Sequence, residues 1–149
     1  MRPLKHGYTN HTLGDGVVVE KAYQGPDAEL RRDREYELLT WLQGLLPVPP
    51  ERAAGAGALT LGFVTGVPGP ELLDAGHAAA VLESCGGLLR RIHETAPSGP
   101  AVGEPEAGKV LVHGDFGPHN LLLDPLTFQV TAVVDWEFSH LGNPVEDLA

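Results

Sequence analysis

The chain has 149 residues, a length that fits one compact unit or two small lobes around a modest core. Ten Lys and Arg against twenty Asp and Glu leave a formal net charge of −10, which argues against a nucleic-acid surface and either favours encounter with a cationic substrate or serves solubility alone. No stretch approaches the ~20 apolar residues of a membrane helix, Met1 to Asn10 lacks an apolar signal core, and the single Cys85 excludes an internal disulfide or a multi-cysteine zinc site. The expectation is a cytoplasmic chain with no membrane or nucleic-acid partner.

In chain order, Gly14-Asp15-Gly16 marks a tight turn, and Val17 to Tyr23 has the β-branched content of a strand. Residues two apart on a strand share a face, so Val17, Val19 and Lys21 point together. A lysine beside valines either meets a buried counter-charge or lies on an edge strand and snorkels to solvent. Gly25-Pro26-Asp27 opens a helix with Asp27 as N-cap, and Leu30, Leu38, Leu39, Trp41, Leu42, Leu45 and Leu46 recur at helical spacing. Glu35 falls on the side of Leu38, Leu39 and Leu42. Its cation is Lys21 or, on the same helix, Arg31 or Arg34. Gly44 and the Pro47-Val48-Pro49-Pro50 run end the helix.

Ala53 to Ala58 is small and flexible, and Leu59 to Val64 predicts another strand. Gly66, Pro68, Gly69 and Pro70 close it and set a boundary near residues 65 to 70. The expected domains are therefore 1–65 and 66–149. His77 to His93 predicts a second helix. Val81, Leu82, Cys85, Leu88, Leu89 and Ile92 form its apolar stripe, and Gly86-Gly87 permits close packing. Pro97 to Gly108 is a loop without evident chemistry.

Val110 to Glu137 carries the chemistry. The apolar run Val110 to Val112 delivers His113-Gly114-Asp115, and Asn120 follows five residues after Asp115. Leu121 to Leu123, a turn at Asp124-Pro125, and Phe128 to Val134 then lead to Asp135. Two strand ends and a loop thus bring two carboxylates and an amide towards one place. Such oxygen donors suit Mg²⁺ and a hydroxyl nucleophile. Asp115 can act as a general base, while Asn120 and Asp135 can ligate the metal. The bland alternative makes Asp115 and Asn120 ordinary turn residues. A rival site of His113, Asp115 and His119 would take a transition metal but has no obvious fourth ligand. Ser84, Ser98 and Ser139 lack the setting of a nucleophilic serine.

His113-Gly114-Asp115-Phe116-Gly117-Pro118-His119-Asn120 resembles the catalytic loop of the aminoglycoside phosphotransferase family, which includes choline-kinase-like enzymes and shares the protein-kinase-like fold. Val134-Asp135-Trp136-Glu137 resembles its metal-binding segment, and Gly142 to Ala149 the stretch that follows. The resemblance implies an α+β, bilobal fold: a small N-lobe with an antiparallel sheet and a helix, and a shortened, mainly helical C-lobe carrying a catalytic-loop β-hairpin. It implies Asp115 as base and Asn120 and Asp135 as Mg²⁺ ligands. His113 and Asp147 would support the loop without taking part in the chemistry.

Val19-Glu20-Lys21 resembles the strand whose lysine holds the α and β phosphates of ATP, and Glu35 matches the helix glutamate that pairs with it. Gly7, Thr9 and Asn10 match the nucleotide-covering loop, Leu61 to Thr65 would be the hinge offering backbone groups to adenine, and Val19, Phe63 and Val64 count among the implied cofactor-binding positions. The implied activity is transfer of the γ-phosphate of ATP to a hydroxyl of a small molecule, aminoglycoside-like or another amino or hydroxy compound, cationic acceptors included. Family members normally continue past the stretch matched by Ala149 into helices that build the acceptor pocket. That departure sets up an alternative: a catalytically impaired nucleotide-binding module that needs a partner to complete its acceptor site, with self-association through exposed apolar surface.

Overall fold

The computed structural model describes residues 1–3, 11–95 and 102–148. Five strands form one antiparallel sheet: β1 (Arg2–Pro3), β2 (His11–Gly14), β3 (Val18–Ala22), β4 (Glu51–Gly55) and β5 (Ala58–Gly62). Their order is β1-β2-β3-β5-β4. The Asp15 carboxylate fixes the β2–β3 turn by accepting from the Val17 and Val18 amides, each at 2.8 Å. β3 is thus interior, with Lys21 opposite Thr12 on one side and Leu59 on the other. Lys21 is buried, so it does not snorkel from an edge.

The small-residue stretch after Glu51 is ordered rather than flexible. It forms β4, and its exposed side chains explain why alanines suffice there: the strand covers β5 and buries little else. Between β3 and β4 lies α1 (Ala28–Leu42), which buries Glu35, Leu38, Leu39 and Leu42 and contacts β4 and β5. Asp27 occupies the N-cap position without a side-chain cap bond. Leu30 and Leu45 are exposed, so the predicted apolar stripe is narrower than its sequence period suggested.

The second part opens with β6 (Val67–Pro68), α2 (Gly69–Asp74) and α3 (Ala78–Glu94). A Cβ on Gly69 would collide with Pro118 O, so glycine lets the start of α2 lie directly on the loop that contains Pro118. α3 buries Val81, Cys85, Leu88, Leu89 and Ile92, but Leu82 is exposed. Gly86 and Gly87 face open space. They are not packing points, because the stripe that meets the core passes on the other side of the helix.

β7 (Val110–Val112) pairs with β10 (His140–Gly142), and β8 (Leu121–Leu123) joins β6 and β9 (Val130–Val133) in a three-stranded sheet. Short 3₁₀ turns cover Pro118–Asn120 and Pro144–Leu148. The β8–β9 turn is held by Asp124, whose Oδ1 accepts from the Leu126 and Thr127 amides. One core runs through the molecule, from Leu42 and Leu59 to Ile92, Leu111, Leu123 and Trp136. Among the described residues no helix is long and apolar enough to cross a membrane.

Candidate active site

Lys21 is the junction of the site. Its Nζ lies 2.7 Å from Glu35 Oε2 and 2.8 Å from Asp135 Oδ1. The sequence left the cation of Glu35 open between Lys21, Arg31 and Arg34. In the fold, α1 turns Glu35 inward onto Lys21, while both arginines engage other groups. Burial disfavours the Lys21 ammonium, but the two carboxylates outweigh it and raise its pKa above the ordinary lysine value.

Glu35 holds three donors. Oε2 accepts from Lys21 and from the Tyr23 hydroxyl, and Oε1 accepts from the Trp136 amide at 3.1 Å. Burial, with Glu35 beside it, pushes the Tyr23 phenol well above its usual range, so Tyr23 stays a protonated donor. Tyr23 was not singled out in the sequence, yet the period of two that joins Val19 to Lys21 also points to it.

Asp135 follows β9 and has φ +61°, a left-handed conformation that costs a non-glycine residue about 1–3 kcal/mol. Its neighbours are fixed on both sides: Val134 N donates to Asn120 O at 3.0 Å, and Trp136 N is held by Glu35.

The loop around Asp115 is built by shorter-range bonds. Asn120 is buried, and its Nδ2 donates to Asp115 O at 2.8 Å and to Asp115 Oδ2 at 3.0 Å. That orientation turns the Asn120 carbonyl oxygen away from Asp115. Among the described residues Oδ1 makes no hydrogen bond, leaving a hard oxygen donor for a cation. His119 Nε2 lies 3.1 Å from Asp115 Oδ1. The Asp115 side chain remains half exposed to solvent.

His113 is fully buried. Its Nδ1 accepts from the Asp115 amide at 3.2 Å, so Nε2 carries the proton and donates to Val134 O at 2.9 Å. Burial lowers its pKa, which keeps the ring neutral. With both ring nitrogens engaged, His113 has no lone pair for a transition metal, and the rival metal site has no geometric basis. Among the described residues no group of three or more His, Cys, Asp or Glu side chains could hold such an ion.

Asp147 reaches the loop from the 3₁₀ turn at 144–148. Oδ2 accepts from His113 N at 3.0 Å and Oδ1 from Gly114 N at 2.9 Å. His93, at the end of α3, adds a contact to Oδ2 at 2.9 Å and was not anticipated from the sequence. Gly114 has φ +87°, and a Cβ there would stand 2.5 Å from Phe138 O.

The remaining predicted positions are less central. Gly7, Thr9 and Asn10 lie outside the described residues. Val19 is half-buried beside Leu61. Phe63 is exposed, and its N–H already donates to Val17 O at 3.0 Å, so the amide is not free to act as a donor to anything else. Val64, half-buried, follows it in the connection to β6.

This architecture recurs in solved phosphotransferases. The macrolide 2′-phosphotransferase MphH from Brachybacterium faecium superimposes with a TM-score of 0.70 at 19% identity, covering 99% of this chain and 69% of that one. Aminoglycoside phosphotransferase APH(3″)-Id from Streptomyces rimosus gives 0.73 at 22% identity, over 99% and 74%. The streptomycin–ATP–APH(2″)-IIa ternary complex gives 0.75 at 13%, over 98% and 68%. The chain therefore has the protein-kinase-like fold of aminoglycoside and macrolide phosphotransferases.

Residues 97–149, which hold the Asp115–Asn120 loop and the Asp135 segment, match the phosphotransferase enzyme family. Shorter matches join them to larger proteins. Human acyl-CoA dehydrogenase family member 11 is 49% identical over 39 residues, 26% of this chain and 5% of that protein. The Arabidopsis thaliana probable acyl-CoA dehydrogenase IBR3 is 44% identical over 50 residues, 34% and 6% respectively. The chain thus spans about 5% of the length of the curated relatives it matches.

Proposed function

We propose that the chain is a phosphotransferase that moves the γ-phosphate of ATP to a hydroxyl of a small molecule. The observation that carries this reading is the Lys21 ammonium held between Glu35 and Asp135 at 2.7 and 2.8 Å. It brings a phosphate-directed cation onto the carboxylate proposed to hold the metal. The APH(2″)-IIa complex contains ATP and that of APH(2″)-Ib contains ADP, which supports nucleotide use here.

The residues fit Mg²⁺, because Asp135 and the Asn120 carbonyl are hard oxygen donors. When bound, Mg²⁺ would neutralise charge on the transferring phosphoryl group. Lys21 would orient the α and β phosphates, and Glu35 would hold Lys21 in place. Asp115 would accept the proton of the acceptor hydroxyl, its carboxylate aimed by the Asn120 amide. His113 and Asp147 would fix the loop backbone. The net charge of −10 supports a cationic acceptor, such as a hydroxylated amine. In this reading residues 1–65 form the nucleotide-binding lobe and 66–149 the lobe carrying the loop and metal segment.

The test measures γ-phosphate transfer to a panel of hydroxylated amines by the wild type and Asp115→Ala. Loss of a general base predicts a fall of about 10²–10⁴-fold, with Mg²⁺-dependent ATP binding retained by calorimetry. Equal turnover would remove Asp115 as base. ATP binding without transfer to any acceptor would favour a nucleotide-binding module that needs a partner, and absence of ATP binding would reject both.

A further inference from the structure

α1 does more than present Glu35. Arg31, Arg34 and Glu35 stand at i, i+3 and i+4, on one face of the helix. All three reach the four residues that follow Asp135. Glu35 Oε1 takes the Trp136 amide at 3.1 Å. Arg31 Nη1 lies 2.9 Å from Glu137 Oε2, and the Glu137 side chain is fully buried. Arg34 Nη2 donates to Ser139 O at 3.1 Å. Arg31 is itself anchored, since Nη2 donates to Gln24 O beyond β3 and its guanidinium lies 6.0 Å from the Tyr23 ring centre.

We propose that Arg31 and Arg34 are positioning residues that hold the segment after Asp135, through Glu137 and Ser139, and so keep the Asp135 carboxylate in its left-handed, metal-directed pose. The proposal rests on the phosphotransferase reading for its consequence but on geometry for its substance. A non-glycine residue at φ +61° persists where the chain on both sides is over-determined. Upstream, Val133 N is held by Pro47 O at 2.7 Å and Val134 N by Asn120 O at 3.0 Å. Downstream, α1 supplies the restraint. Ser139 completes it by donating from its hydroxyl to Trp136 O at 2.7 Å, which closes residues 136–139 into a tight turn. The nucleotide-side helix and the metal segment thus form one unit. Swinging α1 outward would break Lys21–Glu35 and also take the guanidinium from a buried carboxylate.

The first test needs no ligand. Hydrogen exchange is followed on the full chain for wild type, Arg31→Met and Arg31→Lys. Arg31→Met should speed exchange at Trp136 to Ser139 by at least about tenfold while β3 and β5 stay protected, and Arg31→Lys should recover part of the protection. If Arg31→Met does not fold, Arg34→Met carries the same comparison, since its bond goes only to a backbone carbonyl. Unchanged exchange at 136–139 in the folded variant overturns the proposal.

The second test is calorimetric titration of Mg²⁺ at fixed ATP. Arg31→Met should raise the Mg²⁺ requirement about 10–100-fold, the usual effect of losing an outer-shell partner. An unchanged requirement in a variant with faster exchange would overturn the link to the metal. Failure of the wild type to bind ATP at all would overturn the phosphotransferase reading instead, leaving the exchange result to decide the role of the arginines in holding the segment.

Discussion

The two halves of the candidate site are held together in opposite ways. Around Asp115 the bonds that aim its side chain and amide are short in sequence: Asp115 N to His113 spans two residues and Asn120 to Asp115 spans five, with Asp147 bracing the loop backbone from 33 and 34 residues away. Around Lys21 they are long: Glu35 lies 14 residues from Lys21 and 101 from Trp136, and Arg31 lies 106 from Glu137. Exposure follows the same division. The Asp115 side chain is 51% exposed and that of Glu35 is 1%. Local bonds close small loops at little entropic cost, so the loop can stay exposed and still keep its shape. The Lys21 centre has no such local support and exists only when sheet, α1 and the Asp135 segment have all assembled.

Lys21→Met is the sharpest way to break that contrast. It keeps most of the side-chain bulk but leaves Glu35 and Asp135 without their shared ammonium. Breaking a buried pair from one side costs about 3–5 kcal/mol, and urea denaturation should report a loss of that size across the whole molecule. A loss below about 1 kcal/mol, the range of an exposed pair, would show that the centre is not a keystone of the fold. Asp147→Asn probes the other half. The amide keeps one acceptor oxygen, so one of the two peptide N–H groups of His113 and Gly114 loses its partner. The cost should be about 1–3 kcal/mol, with faster amide exchange confined to residues 113–115. Exchange that also rises at Trp136 would erase the distinction between the halves.

The same division explains what was legible in the sequence. The loop could be found because its spacing is its structure: three apolar runs deliver Asp115, Asn120 and Asp135, and the fold leaves each at the end its run implied. The Lys21–Glu35 pair was legible only as a choice among cations, since helical spacing places Glu35 on a face without saying what opposes it. Arg31–Glu137 and His93–Asp147 were out of reach, because nothing local in 137 or 147 reports on a helix 106 or 54 residues away. β4 was missed for a different reason. Its alanines and glycine carry no strand preference of their own, and it is pairing with β5 that makes the stretch a strand. β10 is set in the same way by β7.

Acid titration gives the smallest and most local prediction. Two histidines near the loop shift in opposite directions. Burial lowers the pKa of His113 from its ordinary 6.5. At His140, first the Phe138 carbonyl and then Glu146 raise it from the same value. For His113 the unfolded chain binds the proton more readily, so stability rises with pH through this window and falls as pH drops below about 6.5. For His140 the sign reverses: its contribution is complete below 6.5 and fades as pH rises through its raised folded value. The wild type therefore carries opposing slopes around 6.5. His140→Ala should remove the stabilising acid-side term and expose a steeper loss of stability on acidification. His113→Asn should remove the other slope and leave a chain slightly more stable at pH 6 than at pH 8, relative to its own mean. Denaturation midpoints of the three proteins from pH 5 to 8 decide it. Parallel curves would mean that neither imidazole titrates differently in the folded state, and that the neutral Nε2–H form assigned to His113 is not enforced by the fold.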